Sequence, residues 1–257
     1  MGSTFHVKHK SKAKAPKKRV SKAAPRKKAL TPDQIAAAVR EQLAPAVAPL
    51  GTVANTVQFL DRIERMAATL AVWGPKINLT AHPKDPDEIV FHVFDSIIPV
   101  SIAVASKILR LGGTHRVLDI GSGAGFPGLV IAAALNAQVT LVEARRKRAT
   151  FLSEAVIEMG LKNVRVECAR AESLDLGENF DLVTSRAVAS PSALFEIVGR
   201  ALRREGVLML YVSADQKFDD DAVAATTAGL FDRAISGYDL RHGRQEMHRA
   251  IATWIRR

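Results

Sequence analysis

Apolar residues in this chain recur with two different periods, and the change between them falls near residue 112. Behind the helix-start signal Thr31-Pro32-Asp33, the residues Ile35, Val39 and Leu43 repeat at helical spacing, and Pro45 is expected to end that helix. A second helical pattern, Val57, Leu60, Ile63 and Met66, runs to about Trp73, where Gly74-Pro75 is expected to stop it. The run INLTA, prolines at 83 and 86, and a third helix containing EIVFHVFDS follow. From residue 116 onward, short apolar runs alternate with helical stretches. Val117, Leu118 and Ile120 read as a buried strand, Pro127 as the opening of a helix, and QVTLVE as a strand closing on Glu143. A helix over 144–159 carries Phe151, Leu152, Ala155, Val156 and Met159 on one face and stops at Gly160. Strands at 164–168, 180–185 and 206–212 enclose a helix at 190–201, and weaker strands at 234–239 and 249–255 predict a closing antiparallel hairpin. This alternation predicts an α/β fold: a mostly parallel sheet with helices on both faces, an antiparallel carboxyl-terminal strand and an amino-terminal helical cap. The expected organisation is a tail over 1–30, a helical extension and cap over 31–112, and the α/β domain over 113–257.

Charge adds the tail to this picture. The formal net charge of +11 comes entirely from residues 1–30, which hold eleven Lys or Arg and no acid; the other 26 basic residues balance 26 acidic ones. A segment rich in Lys, Ala, Ser and Pro buries too little apolar surface to offset the cost of ordering and is expected to be disordered. It reads equally as a polyanion-binding arm or as a solubilising tail. The single cysteine, Cys168, excludes disulfides within the chain and points to a reducing cytoplasm; it offers no metal site. The longest apolar run, 97–106, is too short for a bilayer, so a soluble cytoplasmic protein is expected.

Candidate chemistry is concentrated in RVLDIGSGAGFPGL, residues 116–129. A glycine-rich turn (Gly121, Gly123, Gly125) between strand and helix lets a ligand approach the main chain, and N–H groups at a helix start attract an anionic group. Asp119, two residues before Gly121, suits a cationic ligand better than a pyrophosphate. Glu143, 24 residues after Asp119, can accept hydrogen bonds from both ribose hydroxyls. Adenosine carrying a sulfonium and an amino acid satisfies both acids, which makes S-adenosyl-L-methionine the expected cofactor. In such sheets ligands sit at the carboxyl ends of the strands, which also brings forward the Cys168–Glu172 turn, Ser185 and Arg186, and makes Asp181, at the opposite edge, structural. Arg145, Arg146, Lys147 and Arg148 put four cations at the positive end of a helix, which RNA phosphate would compensate; a solvated face offset by Glu143 and Glu154 is the alternative. His92 reads as a packing histidine, Asn78 and Asp95 as turn or cap residues, and Phe126 as either a ligand cover or a staple of the turn.

The blocks VLDIGSGAGFPGL, TLVEARRKRATFL, LKNVRVECARAES and FDLVTSRAVAS, preceded by WGPKINLTA and HVFDS, resemble the bacterial ribosomal RNA small-subunit methyltransferase G family, also called GidB, from about residue 52 to 257. The resemblance implies a class I, Rossmann-like S-adenosylmethionine-dependent methyltransferase acting on N7 of a guanine in 16S (small-subunit) ribosomal RNA, free or in the small subunit. A monomer without metal is expected. Carried over by position, the resemblance implies donor contacts at Gly121, Phe126, Ala171, Glu172 and Arg186, beside Asp119, Gly123 and Glu143 from the residue reading. Arg186 is the expected catalytic residue, and Arg145 to Arg148 are the expected RNA contacts. This chain departs from the pattern at Phe91, where similar sequences carry Arg or Lys before the histidine. The alternatives are a same-fold methyltransferase for a small molecule or protein, and a non-catalytic rRNA-binding assembly factor.

Overall fold

The computed structural model describes residues 29–108, 115–177, 179–186, 191–216 and 222–257, with the side chains of 191 and 192 left aside. Residues 1–28 of the basic tail, the domain boundary at 112 and residues 187–190 of the TSRAVAS block lie outside the described residues.

Three helices precede the sheet. Helix α1 (Pro32–Val47) begins with a capping box in which Thr31 and Gln34 exchange side-chain and backbone hydrogen bonds, and it buries Ile35, Val39 and Leu43. Helix α2 (Thr56–Ile77) is capped by Asn55, and α3 (Pro86–Ala105) by Asp85. Two expected stops are corrected. Pro45 and the Gly74-Pro75 pair lie inside α1 and α2, each in the last turns, where a proline costs one ladder bond and only a few residues of helix follow it. Gly74 is buried there because Pro83 of the next loop packs directly on its Cα face, so its role is close approach rather than termination. Helix α3 extends well past HVFDS. Its length and composition would suffice to cross a membrane, yet more than half of it is buried against α1, β-strands and neighbouring helices, as a core helix is.

The sheet holds seven strands: β1 (His115–Ile120), β2 (Ala137–Val142), β3 (Val164–Glu167), β4 (Phe180–Arg186), β5 (Leu202–Ser213), β6 (Leu230–His242) and β7 (Gln245–Arg256). Their order is β3-β2-β1-β4-β5-β7-β6; the first five run parallel, and β7 pairs antiparallel with both β5 and β6. Helices α4 (Gly128–Ala134), α5 (Arg146–Glu158), α6 (Pro191–Ala201) and α7 (Ala222–Thr227) complete the chain. Alternate residues of each strand face two cores. Val117, Leu141 and Met209 pack with α1 to α5, while Leu118, Val183 and Leu208 pack with α6 and α7. The chain reverses direction of travel across the sheet between β1 and β4, which opens a crevice at the carboxyl ends of those two strands. The strands at 206–212, 234–239 and 249–255 are all longer than the apolar pattern predicts, and Cys168 lies just beyond β3, exposed, rather than within it.

Candidate active site

The glycine turn is built around its own hydrogen bonds. Gly121 (φ 76°) and Ser122 both donate to the Val142 carbonyl at the end of β2, Gly125 donates to Ser122, and Gly123 donates to Glu143 Oε2 at 3.0 Å. Four N–H groups of the turn are therefore committed internally, and at the helix start Leu129 donates to the Gly125 carbonyl. A side chain at Gly121 would extend into open space on the ligand side. Pro127 precedes α4 as its capping residue instead of opening it, and Gly128 is the first helical residue. A Cβ at Gly128 would stand 2.6 Å from Asp119 Oδ2, so this glycine lets the helix start descend onto β1.

Asp119 is corrected too. Its carboxyl is 1% exposed and lies beneath the turn, where Oδ1 accepts from the Thr184 hydroxyl at 2.8 Å. Burial pushes its pKa up, against the Thr184 and Ser122 hydroxyls and the Arg186 cation. It supports the loop from below, joining β1 to β4, and is not among the residues that line the cavity.

A cavity of about 430 Å³ opens at the carboxyl edge of the sheet, and its lining gathers Gly121, Glu143, Arg145, Arg148, Ala171, Glu172 and Arg186. Glu143 is 6% exposed; besides the Gly123 N–H it accepts the Arg145 N–H at 2.8 Å, so the same carboxylate ties the glycine turn to the start of α5. Each of its oxygens retains a further lone pair for a ligand hydroxyl. The four cations divide. Arg145 and Arg148 line the cavity, with Arg148 Nη2 also donating to the Asn78 carbonyl, whereas Arg146 and Lys147 do not line it. Asn78 is the left-handed end residue of α2, as a turn reading requires. Asp119, Gly123 and Phe126 do not line the cavity.

Arg186 closes β4 and leans toward α3. Its guanidinium lies 5.6 Å from the Phe126 ring centroid, donates to His92 Nδ1 at 3.3 Å and reaches Asp95 Oδ2 at 3.5 Å. Phe126, 2% exposed with its ring 5.0 Å from that of His92, staples the glycine turn to α3. Asp95 is no helix cap. Buried in mid-helix, it also accepts from Tyr238 (2.8 Å) and from Arg249 (3.0 Å), so that α3, β4, β6 and β7 meet on one carboxylate. The sequence reading missed Tyr238 and Arg249 altogether; no local pattern marks them.

His92 is held neutral: burial and the neighbouring Arg186 lower its pKa to about 4, outweighing Glu88 and Asp95. Its Nδ1 accepts from Arg186, which leaves the ring proton on Nε2, 3.7 Å from Glu88 Oε1. Burial opposes the Glu88 charge, but the His82 N–H bond and the facing histidines leave its pKa lowered. Because the folded-state pKa of His92 is depressed, the unfolded chain binds more protons below about pH 6.5, and its contribution to stability is lost as pH falls from there through about 4. We expect about 2 kcal/mol of destabilisation at pH 5 relative to pH 7 from this residue. Urea unfolding at the two pH values should show the difference shrink by that amount in His92→Gln, and an unchanged difference would contradict the assignment.

The strand order, with β7 inserted antiparallel between β5 and β6 and a ligand cavity at the β1/β4 reversal, is that of the class I S-adenosylmethionine-dependent methyltransferases, and this chain is one of them. The family model described as rRNA small subunit methyltransferase G (GidB) matches residues 60–236, and the chain belongs to that family. The ribosomal RNA small subunit methyltransferase G of Clostridium perfringens (strain 13 / Type A) is 36% identical over 185 residues, covering 67% of this chain and 75% of that protein. That of Lactococcus lactis subsp. lactis (strain IL1403) is 34% identical over 200 residues, covering 75% and 81%. Among solved structures, TYW2 of M. jannaschii in complex with AdoMet overlays with a TM-score of 0.48 at 17% identity, over 63% of this chain and 77% of that one.

Proposed function

We propose that this enzyme transfers a methyl group from S-adenosylmethionine to N7 of a guanine in small-subunit ribosomal RNA, with the donor in the cavity at the β1/β4 crevice. The observation that carries the reading is the convergence of Gly121, Glu143, Ala171, Glu172 and Arg186 from four separate segments on that one cavity. Glu143 holds the ribose, Gly121 leaves room at the turn, and Ala171 with Glu172 adds the lining contributed by the turn after β3. Arg186 stands at the mouth, where it orients donor and base. When bound, the donor supplies a methyl carbon already activated by the sulfonium. N7 carries a lone pair in the neutral base, so the N–C bond can form as the C–S bond breaks without prior removal of a proton. Chemistry of this kind needs the acceptor nitrogen held in line with the methyl carbon, and no general base. Arg146 and Lys147 at the exposed start of α5, together with the basic tail, offer cations for RNA phosphates.

Nucleoside mass spectrometry of small-subunit rRNA from cells with and without the protein tests the reading. The expected result is loss of one 7-methylguanosine, restored by the wild type and not by Arg186→Ala; an unchanged profile would remove the ribosomal substrate. For the cofactor site, Glu143→Ala should weaken donor binding about tenfold by calorimetry, the value of a hydrogen-bonded charge, while RNA affinity stays within twofold. Loss of both together would show that the residue serves the fold alone.

A further inference from the structure

The carboxyl-terminal hairpin reaches the active-site arginine. Strand β5 ends at Ser213 opposite Arg249, whereas the β6–β7 ladder continues through Tyr238↔Arg249 to His242↔Gln245. The hairpin thus projects beyond the carboxyl edge of the parallel sheet, on the side where Arg186 ends β4. It contacts α3 twice. At its root, the Tyr238 hydroxyl and the Arg249 guanidinium both bond Asp95. Nearer its tip, the His242 ring lies 5.1 Å from Phe91, which lies 5.5 Å from His92. Both lines end on Arg186, one through Asp95 Oδ2 and the other through His92 Nδ1.

We propose that Tyr238 and Asp95 are positioning residues for methyl transfer: the hairpin fixes the Asp95 carboxylate, and Asp95 fixes the direction in which Arg186 enters the mouth of the donor cavity. The proposal rests on the reading of Arg186 given above and extends it to a segment that the family match barely enters, since that match ends at residue 236. The physical reason is geometric. Asp95 is 1% exposed and receives Tyr238 and Arg249 on Oδ1, which leaves Oδ2 for Arg186 at 3.5 Å and Arg249 Nη2 at 3.3 Å. Without the Tyr238 hydroxyl, only Arg249 holds the carboxylate, itself on a hairpin strand and 20% exposed, and the acceptor that faces Arg186 loses its buried second anchor. A phenol is well suited to the task because burial and the adjacent Asp95 raise its pKa, so it remains a donor across the working range. In methyl transfer a small displacement of the aligning group is costly, since the rate depends on near-linear approach of nucleophile, carbon and leaving group.

The test is a double-mutant cycle on the full-length chain, using small ribosomal subunits from cells lacking the protein as acceptor. Tyr238→Phe should lower kcat about tenfold, with the KM for donor within twofold and the urea midpoint close to that of the wild type. In the Arg186→Ala background, the same change should have no further effect on kcat. An equal, additive loss in both backgrounds would overturn the proposal, because Tyr238 would then act without Arg186. An unchanged kcat in Tyr238→Phe would overturn it as well. Failure of the wild type to methylate the subunits would instead refute the ribosomal substrate, and the same cycle read through donor-dependent methylation of any accepted substrate would still decide the positioning role.

Discussion

Arg186→Ala should reduce kcat/KM for methyl transfer by on the order of 10²–10³-fold while leaving a folded protein. The residue is placed for a direct role. It ends β4 at the reversal point of the sheet, lines the cavity, and has its side chain 22% exposed between Asp95 and the Phe126 ring. Its removal leaves Asp95 bonded to Tyr238 and Arg249, so no buried carboxylate is stranded. Arg186→Lys should recover part of the activity only, since an ammonium keeps the charge but neither the planar group over the Phe126 ring nor the Nη1 position that serves both His92 and Asp95. Single-turnover transfer from labelled donor, read beside thermal melting, is the measurement. Activity within threefold of the wild type, with the fold intact, would exclude the role.

Asp95→Ala should be the most destabilising single change at the site, about 3 kcal/mol by urea unfolding. Breaking a buried ion pair from one side leaves the other charge without its partner, at a cost of roughly 3–5 kcal/mol. Here two guanidinium groups and a buried phenol lose their common acceptor, but the side chains of Arg186 and Arg249 remain 22% and 20% exposed, and water recovers part of the loss. Asp95→Asn, which keeps the shape and one acceptor oxygen, should cost less. A change below about 1 kcal/mol for Asp95→Ala would mean that the four segments are held together by their apolar contacts and not by this carboxylate.

Much of the parallel sheet was legible in the chain because each strand carries its own apolar run and each turn its own breaker. Val117–Ile120, the glycine turn and Gly160 are local signals with local causes. Where the reading erred, tertiary packing had reversed a local preference. Gly74-Pro75 looks like a stop, yet Pro83 folds back onto Gly74 and α2 continues to Ile77. Asp119 looks like a ligand contact by its place before the glycines, yet the descent of Gly128 and the bond from Thr184 bury it. The N–H groups of the glycine turn carry no local sign of their partners, which Val142 and Glu143 at the end of the adjacent strand supply.

The gathering of Gly121, Glu143 and Arg186 at one edge was written in the sequence by itself. Glycines, the acid that closes β2 and the arginine that closes β4 occupy the ends of successive parallel strands, and a parallel sheet brings those ends to one edge whatever else the chain does. The aiming of Arg186 was decided only in three dimensions. Asp95 meets Tyr238 across 143 residues and Arg249 across 154, and nothing in the intervening chain encodes either bond. They form because α3 packs on β6 and because β7, antiparallel between β5 and β6, carries Arg249 to the same height as Tyr238. Periodicity specifies which face of an element is buried; which polar group it meets there depends on the register of elements far apart in sequence.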